Sequence, residues 1–378
     1  MNIDDSSYVS FEGYEYFGVH FFGDRAVAHV RVRDADKVFL TGDFCAWQEG
    51  IELERLSDGV WEYRTSRDLL FEGCKYKYRV VAKDGKEIFM ADPYETHSEE
   101  SGAYASVSCN AESYEWRDAT WLEYREQYKK ELCSKPLSIY KITADKWLCG
   151  DGGSRFSYRT LADELAPYVK QLGCTHVQLA SFLVSDGENT SYFAARTFGR
   201  HPSELAAFVD SMHEAGVGVI FELPIKDQKA LSPCGDELAC YADACAFWLD
   251  KYHADGLCIA DPTLAERLWD GLAQKFPYAI LVSDRKIVGS IRDGQSVTVC
   301  SYDSFIQSFD TSLEDMRSAF EALMASPYKK LIVMGSEIGQ PDADTDTSVD
   351  WSLLEDRAHA ELQKYVAELG QRYIAAEI

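Results

Sequence analysis

From Pro136 to its last residue the chain alternates short apolar runs with amphipathic segments of helical period, and few folds accept that pattern. The runs are SIYKI, THVQLA, GVIFEL, GLCIA, AILVS, SVTVC and KKLIVMG. Between most of them lie TLADELAPYVKQLG, SELAAFVDSMHEAG, CYADACAFWLDKYH, LAERLWDGLAQKF and LEDMRSAFEALMAS, and a last helix-like stretch is ELQKYVAELGQRYIA. Continuous short apolar runs mark strands buried on both faces. Strand-then-helix repetition winds such strands into a (β/α) barrel, whose ligand site lies at the carboxyl ends of the strands. Gly173 and Gly216 fit the ends of two helices. Seven strands are legible where a full barrel needs about eight. The eighth is either hidden between Asp342 and Trp351 or absent.

The N-terminal part has a different period. VAHVRV, KVFLTG, GVWEYRT, CKYKYRVV and, past the Asp84-Gly85 turn, EIFMADPY are short alternating strands, which predicts an immunoglobulin-like β-sandwich over residues 17–109. Residues 1–16 form an extension and the charged, aromatic residues 110–135 a connector. Residues 136–378 are the barrel. The expected fold class is therefore multidomain β plus α/β, a sandwich followed by a trimmed TIM-type barrel. Within the sandwich Trp61, between Val60 and Tyr63, reads as core. Trp47 follows the turn-like Gly42-Asp43-Phe44 beside Gln48 and Glu49, a polar setting for an indole.

Charge and cysteine usage narrow the partners. A net charge of −25 opposes binding to nucleic acid or an anionic membrane surface. The first residues are acidic where a signal peptide is basic, and no apolar run approaches the ~18 residues of a membrane span. A cytoplasmic location is expected. Eleven cysteines without a CxxC pair read as buried small hydrophobes. The cluster Cys234, Cys240 and Cys245 lacks metal-ligand spacing. Neither a metal nor a cofactor is expected.

The segments Val38–Trp47 (VFLTGDFCAW), Gly59–Glu62, Tyr76–Arg79 with Asp84-Gly85, and Ala91–Tyr94 resemble the family-48 carbohydrate-binding module that precedes the barrel of glycogen branching enzymes. They are also similar to the glycogen-binding module of AMP-activated kinase. The resemblance implies that Trp47 stacks on glucose rings and Lys77 hydrogen-bonds the sugar. A second stacking Trp of the kinase module has only Phe89 near its position. Trp116, Asp118 and Trp121 keep the W-x-D-x-x-W spacing that leads from module to barrel. The barrel half resembles the branching enzymes of the α-amylase superfamily, glycoside hydrolase family 13. The matches are Leu137–Tyr140, Ser157–Ala162, Phe198-Gly199, His213–Gly216, and above all Lys329–Gln340 (KKLIVMGSEIGQ) with Ser348–Glu355 (SVDWSLLE).

Retaining glycosyl transfer needs a carboxylate nucleophile and a carboxylic acid about 5–5.5 Å apart. The resemblance puts Cys258 where the family's Arg stands and Ala260 at the nucleophile. Asp261 is one residue late, so strand alternation turns it away, and it reads as a helix N-cap before Pro262. Ser283 stands at the general acid, with Asp284 beside it. Tyr302 replaces the His of the His-Asp pair after strand seven, and Asp303 retains its Asp as a sugar ligand or a helix cap. Glu222 to Asp227 replaces the Asp-x-x-x-x-His motif, and Tyr192 matches the family's sugar-stacking Tyr. The family's C-terminal β-domain is not expected in this chain. These residues point to a glucan-binding branching-enzyme relative without transfer chemistry, whose partners are glycogen or a starch-like α-glucan and a catalytically active glycogen enzyme. Two alternatives stand beside it: an active branching enzyme or hydrolase using Asp261, Asp284 and Asp303, and an interaction protein that binds no sugar.

Overall fold

The computed structural model describes residues 11–57, 59–110, 113–131, 135–148, 157–186, 190–224, 237–283, 286–291, 295–301 and 312–376. The chain divides into two compact units. One comprises Met1–Tyr114, Leu183–Ser203 and Ile225–Tyr252, the other Glu115–Phe182, Glu204–Pro224 and His253–Ile378.

The first unit is built on nine short strands, β1 (Gly18–Phe22), β2 (Arg25–Arg31), β3 (Ala35–Gly42), β4 (Ile51–Glu52), β5 (Glu54–Arg55), β6 (Val60–Ser66), β7 (Lys75–Ala82), β8 (Glu87–Met90) and β9 (Ser106–Val107). They form two antiparallel sheets in the orders β1-β2-β6-β5 and β4-β3-β7-β8, with β9 also on β7. Alternation sends Val38, Leu40, Tyr76, Tyr78 and Val80 into a core with Ala28, Val30 and Trp61. Each such side chain, fully buried, contributes about 1.5–3 kcal/mol. Trp61 satisfies its indole N–H on the Val32 carbonyl at 3.0 Å, the core role its sequence setting suggests. Tyr76 and Tyr78 donate to one carboxylate oxygen of Asp92, at 2.8 and 3.3 Å. Burial raises the Asp92 pKa to about 6. The tyrosines and the Ala91–Tyr94 stretch thus belong together physically.

The remaining elements, in chain order, are α1 (Ala119–Lys130), β10 (Ser138–Thr143), α2 (Ala144–Trp147), α3 (Tyr158–Gln171), β11 (His176–Ala180), β12 (Leu183–Ser185), β13 (Thr190–Ala195), α4 (Ser203–Glu214), β14 (Gly218–Leu223), α5 (Glu237–Lys251), β15 (Gly256–Ile259), α6 (Pro262–Lys275), β16 (Ile280–Ser283), β17 (Lys286–Ile291), β18 (Gln295–Ser301), α7 (Leu313–Ala325), β19 (Lys329–Val333) and α8 (Arg357–Ala375). The β12–β13 hairpin and α5 cluster with the sandwich. Asp243 of α5 accepts from the Gly13 amide at 2.9 Å and from the Tyr94 hydroxyl at 2.9 Å, and Trp248 donates to the Tyr192 carbonyl at 2.8 Å. Hydrogen bonds of this kind, absent from the periodicity, separate the observed units from the boundaries read at 109 and 135.

The second unit closes an eight-stranded barrel in the order β10-β11-β14-β15-β16-β17-β18-β19. The eighth strand is β17, not a segment of 342–351. It runs antiparallel to both β16 and β18, while every other neighbouring pair is parallel. Antiparallel neighbours need no crossover helix, so no helix announces the strand in the sequence. Tyr128, Leu137, Ile139, Ile220, Ile280, Val282 and Val299 form an interior cluster. Gly256 lets β15 approach β16: a Cβ there would stand 2.3 Å from the Ile280 carbonyl oxygen. Gly256→Ala is expected to cost about 1–3 kcal/mol, seen as a lower urea midpoint. An unchanged midpoint would mean that β15 can move aside.

The W-x-D-x-x-W segment is a buried charge hub of this unit. His213 places Nδ1 2.8 Å from Asp118 and Nε2 2.9 Å from Asp255. Carboxylates only accept, so both ring nitrogens donate and the ring is an imidazolium. Burial opposes that charge, but Asp255 and Asp118 outweigh it and raise the His213 pKa. Trp121 stacks on His213 with ring centroids 5.3 Å apart and donates to Asp255 at 2.9 Å. Trp116 stacks on His253, which sits 2.9 Å from Asp118.

Candidate functional site

Two places carry the residues singled out from the sequence. In the first unit, strand alternation puts Lys77 and Arg79 on the face of β7 opposite the Tyr76 and Tyr78 core. Register pairs Thr41 with Lys77, and Phe39 and Phe89 with Arg79. The row Phe39-Arg79-Phe89 therefore crosses three strands on one face. Arg79 lies 4.1 Å over the Phe39 ring and donates to the Glu49 carbonyl at 2.7 Å and to Glu87 at 3.0 Å. It ties the loop carrying Trp47 to the sheet.

Trp47 itself is held from three sides. Its indole N–H donates to Asp43 Oδ1 at 3.0 Å, the other oxygen of Asp43 accepts from the Lys75 amide at 3.0 Å, and its backbone N–H reaches the Gly42 carbonyl at 3.0 Å. Ala46 and Trp47 both adopt left-handed backbone angles, φ +51° and +59°. Such conformations cost energy and persist where surrounding structure enforces them, often at binding sites. The ring remains 43% exposed, and Phe89 is 60% exposed. Lys77 gives one of its ammonium protons to the Ala103 carbonyl. Asp43 and Arg79 hold this region in place, and Phe89 lies exposed beside Arg79. The alternation in KYKYRVV was the signal that could have found Arg79.

Tyr192 joins none of this. It lies on β13, 3% exposed, packed edge-to-face on Tyr241. With both faces covered it offers no open surface to a sugar, so its expected stacking role is corrected.

In the barrel, Lys141, Gln178, Glu222 and Cys258 meet. Lys141 Nζ lies 2.7 Å from Glu222 Oε2, and Gln178 donates to the same oxygen at 2.6 Å. Burial, then Glu222, pushes the Cys258 thiol up to about 12. A cation thus reaches Glu222 from β10, where the resemblance expects an Arg at Cys258. The paired inward positions near the ends of β15 and β16 are Cys258 and Val282, neither of which bears a carboxylate, and Ala260 just past β15 is exposed. Asp261 is exposed and accepts from the Leu264 amide at 3.0 Å, as the N-cap of α6. Ser283 is 1% exposed, and Ile280 and Val282 in the interior cluster place it on the opposite, outward side of β16. The residue matched to the family's general acid therefore lies on the side of β16 away from the interior cluster. Asp284, Tyr302, Asp303 and Asp227 lie outside the described residues.

The Lys329–Gln340 motif is structural here. Tyr140 and Tyr168 both donate to Glu337 Oε1 at 2.6 Å, and Gln340 clamps Ser348 and Asp350 at 3.1 and 2.8 Å. Glu337 is wholly buried, and burial raises its pKa.

Residues 16–95 match the family Carbohydrate-binding module 48 (Isoamylase N-terminal domain). The 1,4-alpha-glucan branching enzyme GlgB of Geobacillus stearothermophilus is 31% identical over 224 residues, covering 56% of this chain and 34% of that enzyme. The GlgB of Myxococcus xanthus (strain DK1622) is 24% identical across 89% of this chain and 64% of its own length. The chain is thus similar to these branching enzymes, and its residues 16–95 carry the match to that carbohydrate-binding module. It spans about a third of the length of the first curated relatives it matches. Among solved structures, the GBS pullulanase SAP in complex with maltotetraose shares the fold of this chain, with a TM-score of 0.74 at 13% identity over 97% of this chain and 75% of the pullulanase. Among the described residues, no helix is long and apolar enough to cross a membrane.

Proposed function

We propose that the protein binds α-glucan chains through the outer sheet face bearing Trp47, Lys77 and Phe89, and carries out no glycosyl transfer in its barrel. The observation that carries the binding is the exposed indole of Trp47, fixed by Asp43 and the Gly42 carbonyl. A sugar's apolar face packs on an aromatic ring that loses little freedom on binding, while its hydroxyls take fixed polar partners such as Lys77. The maltotetraose bound by the pullulanase neighbour is the kind of ligand envisaged.

The lack of transfer rests on chemistry. Cys258 and Ala260 cannot supply the nucleophile, and Asp261 is engaged as a helix cap. Asp303 remains a proposed sugar ligand in the barrel. A catalytically active glycogen enzyme is the proposed protein partner, brought onto the same glucan. The test is turnover: amylose incubated with the protein should show no change in iodine staining and no new reducing ends beyond a boiled control. Turnover lost on replacing Asp284 or Asp303 would instead establish the active-enzyme reading.

A further inference from the structure

Three side chains from separate stretches of the first unit converge: Glu72 ahead of β7, Cys109 past β9 and His201 past the β12–β13 hairpin. Cys109 Sγ lies 3.3 Å from His201 Nε2, and that nitrogen lies 3.6 Å from Glu72 Oε1. One ligand-type atom from each falls within 4.8 Å of the other two. A tetrahedral zinc ion, with bonds of about 2.3 Å to sulfur and about 2.0–2.1 Å to nitrogen or oxygen, spaces its ligand atoms roughly 3.3–3.6 Å apart. The two measured separations fall at that spacing. We infer that Glu72, Cys109 and His201 form a site for one soft divalent cation, zinc above all, with a water in the fourth position.

The surroundings support ligation. The Ser203 amide donates to His201 Nδ1 at 3.2 Å, and Ser203 Oγ sits 2.9 Å from the same nitrogen. Binding a metal through Nε2 therefore moves the ring proton to Nδ1, where the Ser203 hydroxyl can accept it in place of the amide contact. Arg67 holds Glu72 Oε2 at 3.0 Å, and the Asn110 amide approaches Oε1 at 3.4 Å, which leaves Oε1 a second lone pair. Cys109 is buried while Glu72 and His201 are exposed, so an ion has an entry side and a closed side. Burial, then Glu72, pushes the Cys109 thiol up to about 12. Zinc displaces that proton, and binding releases it into a setting of Glu72, His201, Arg67 and the nearby His97. Thiolate and imidazole select zinc over magnesium and calcium. The ion would clip together positions 92 residues apart in sequence.

Chelator-treated protein should be titrated with zinc by calorimetry, beside Glu72→Gln, Cys109→Ser and His201→Ala. One equivalent is expected to bind, magnesium and calcium are not, and loss of either Cys109 or His201 should weaken zinc by at least about 100-fold. Cobalt-loaded protein should show a thiolate-to-metal absorption band that Cys109→Ser removes. His201 and Glu72 are exposed, so their variants keep the fold, which the unchanged far-UV circular dichroism of each would verify. No zinc binding, or binding and a cobalt band indifferent to all three variants, overturns the assignment.

Discussion

Trp47→Ala is expected to abolish the retardation of the protein in gels cast with glycogen, where the wild type is held back. An aromatic anchor at a binding surface is worth about 2 kcal/mol or more, which is roughly a 30-fold loss of affinity. The ring is 43% exposed and outside the sandwich core, so its removal leaves the fold in place. Asp43→Ala should reproduce part of the loss, because it frees the indole that Asp43 orients and the Lys75 amide that Asp43 anchors. Phe89→Ala should have a smaller effect. If wild type and Trp47→Ala are retarded equally, the glucan site lies elsewhere. If neither is retarded, the interaction-protein reading stands and capture of a partner becomes the next step.

Asp255→Asn is expected to destabilise the barrel unit by about 3–5 kcal/mol, the cost of breaking a buried ion pair on one side. Asp255 is 2% exposed and meets His213, Trp121, the Val219 amide at 2.7 Å and Arg125 at 3.5 Å. The amide keeps the shape but leaves two buried cations short of a counter-charge. The melting temperature of this unit should fall on the order of 10 °C. The same hub sets a pH window. Burial would raise the Asp255 pKa, but His213 and then Arg125 hold it well below the usual carboxylate range. Asp118 is likewise held down, by His213 and His253. Carboxylates depressed in the folded state stabilise above their unfolded pKa of about 4 and lose that contribution as pH falls through the folded value. His213 is raised, so its share is complete below about pH 6.5 and is lost as pH rises through its folded pKa. The hub's contribution should therefore be greatest between about pH 4 and 6.5, and Asp255→Asn should flatten that profile. Equal stability of variant and wild type across it would mean that the hub is energetically neutral.

Two local readings hold in the structure, the exposure of Trp47 and the helix cap at Asp261. Trp47 stood out through its polar neighbours, and Asp261 read as a helix cap because Pro262 and an amphipathic segment follow it. The failures share a physical origin. Which face Ser283 takes could not be read from the sequence, because an offset of one residue is invisible in a continuous apolar strand and yet reverses the face. Tyr192 was counted as a cleft residue although the chain folds α5 over it. Lys141 and Glu222 each look like a single charge in an apolar run until β10, β11 and β14 come side by side.

Local periodicity and turn chemistry are written into consecutive residues, so the sequence by itself determined the sandwich, the barrel strands that alternate with helices, and the helix cap at Asp261. Only the tertiary structure decided that β17 closes the barrel antiparallel to its neighbours, that α5 belongs with the sandwich, and that Glu72, Cys109 and His201 meet. Those outcomes depend on which distant segments pair and which face each strand turns inward, and no period in the sequence records a choice made between elements far apart along the chain.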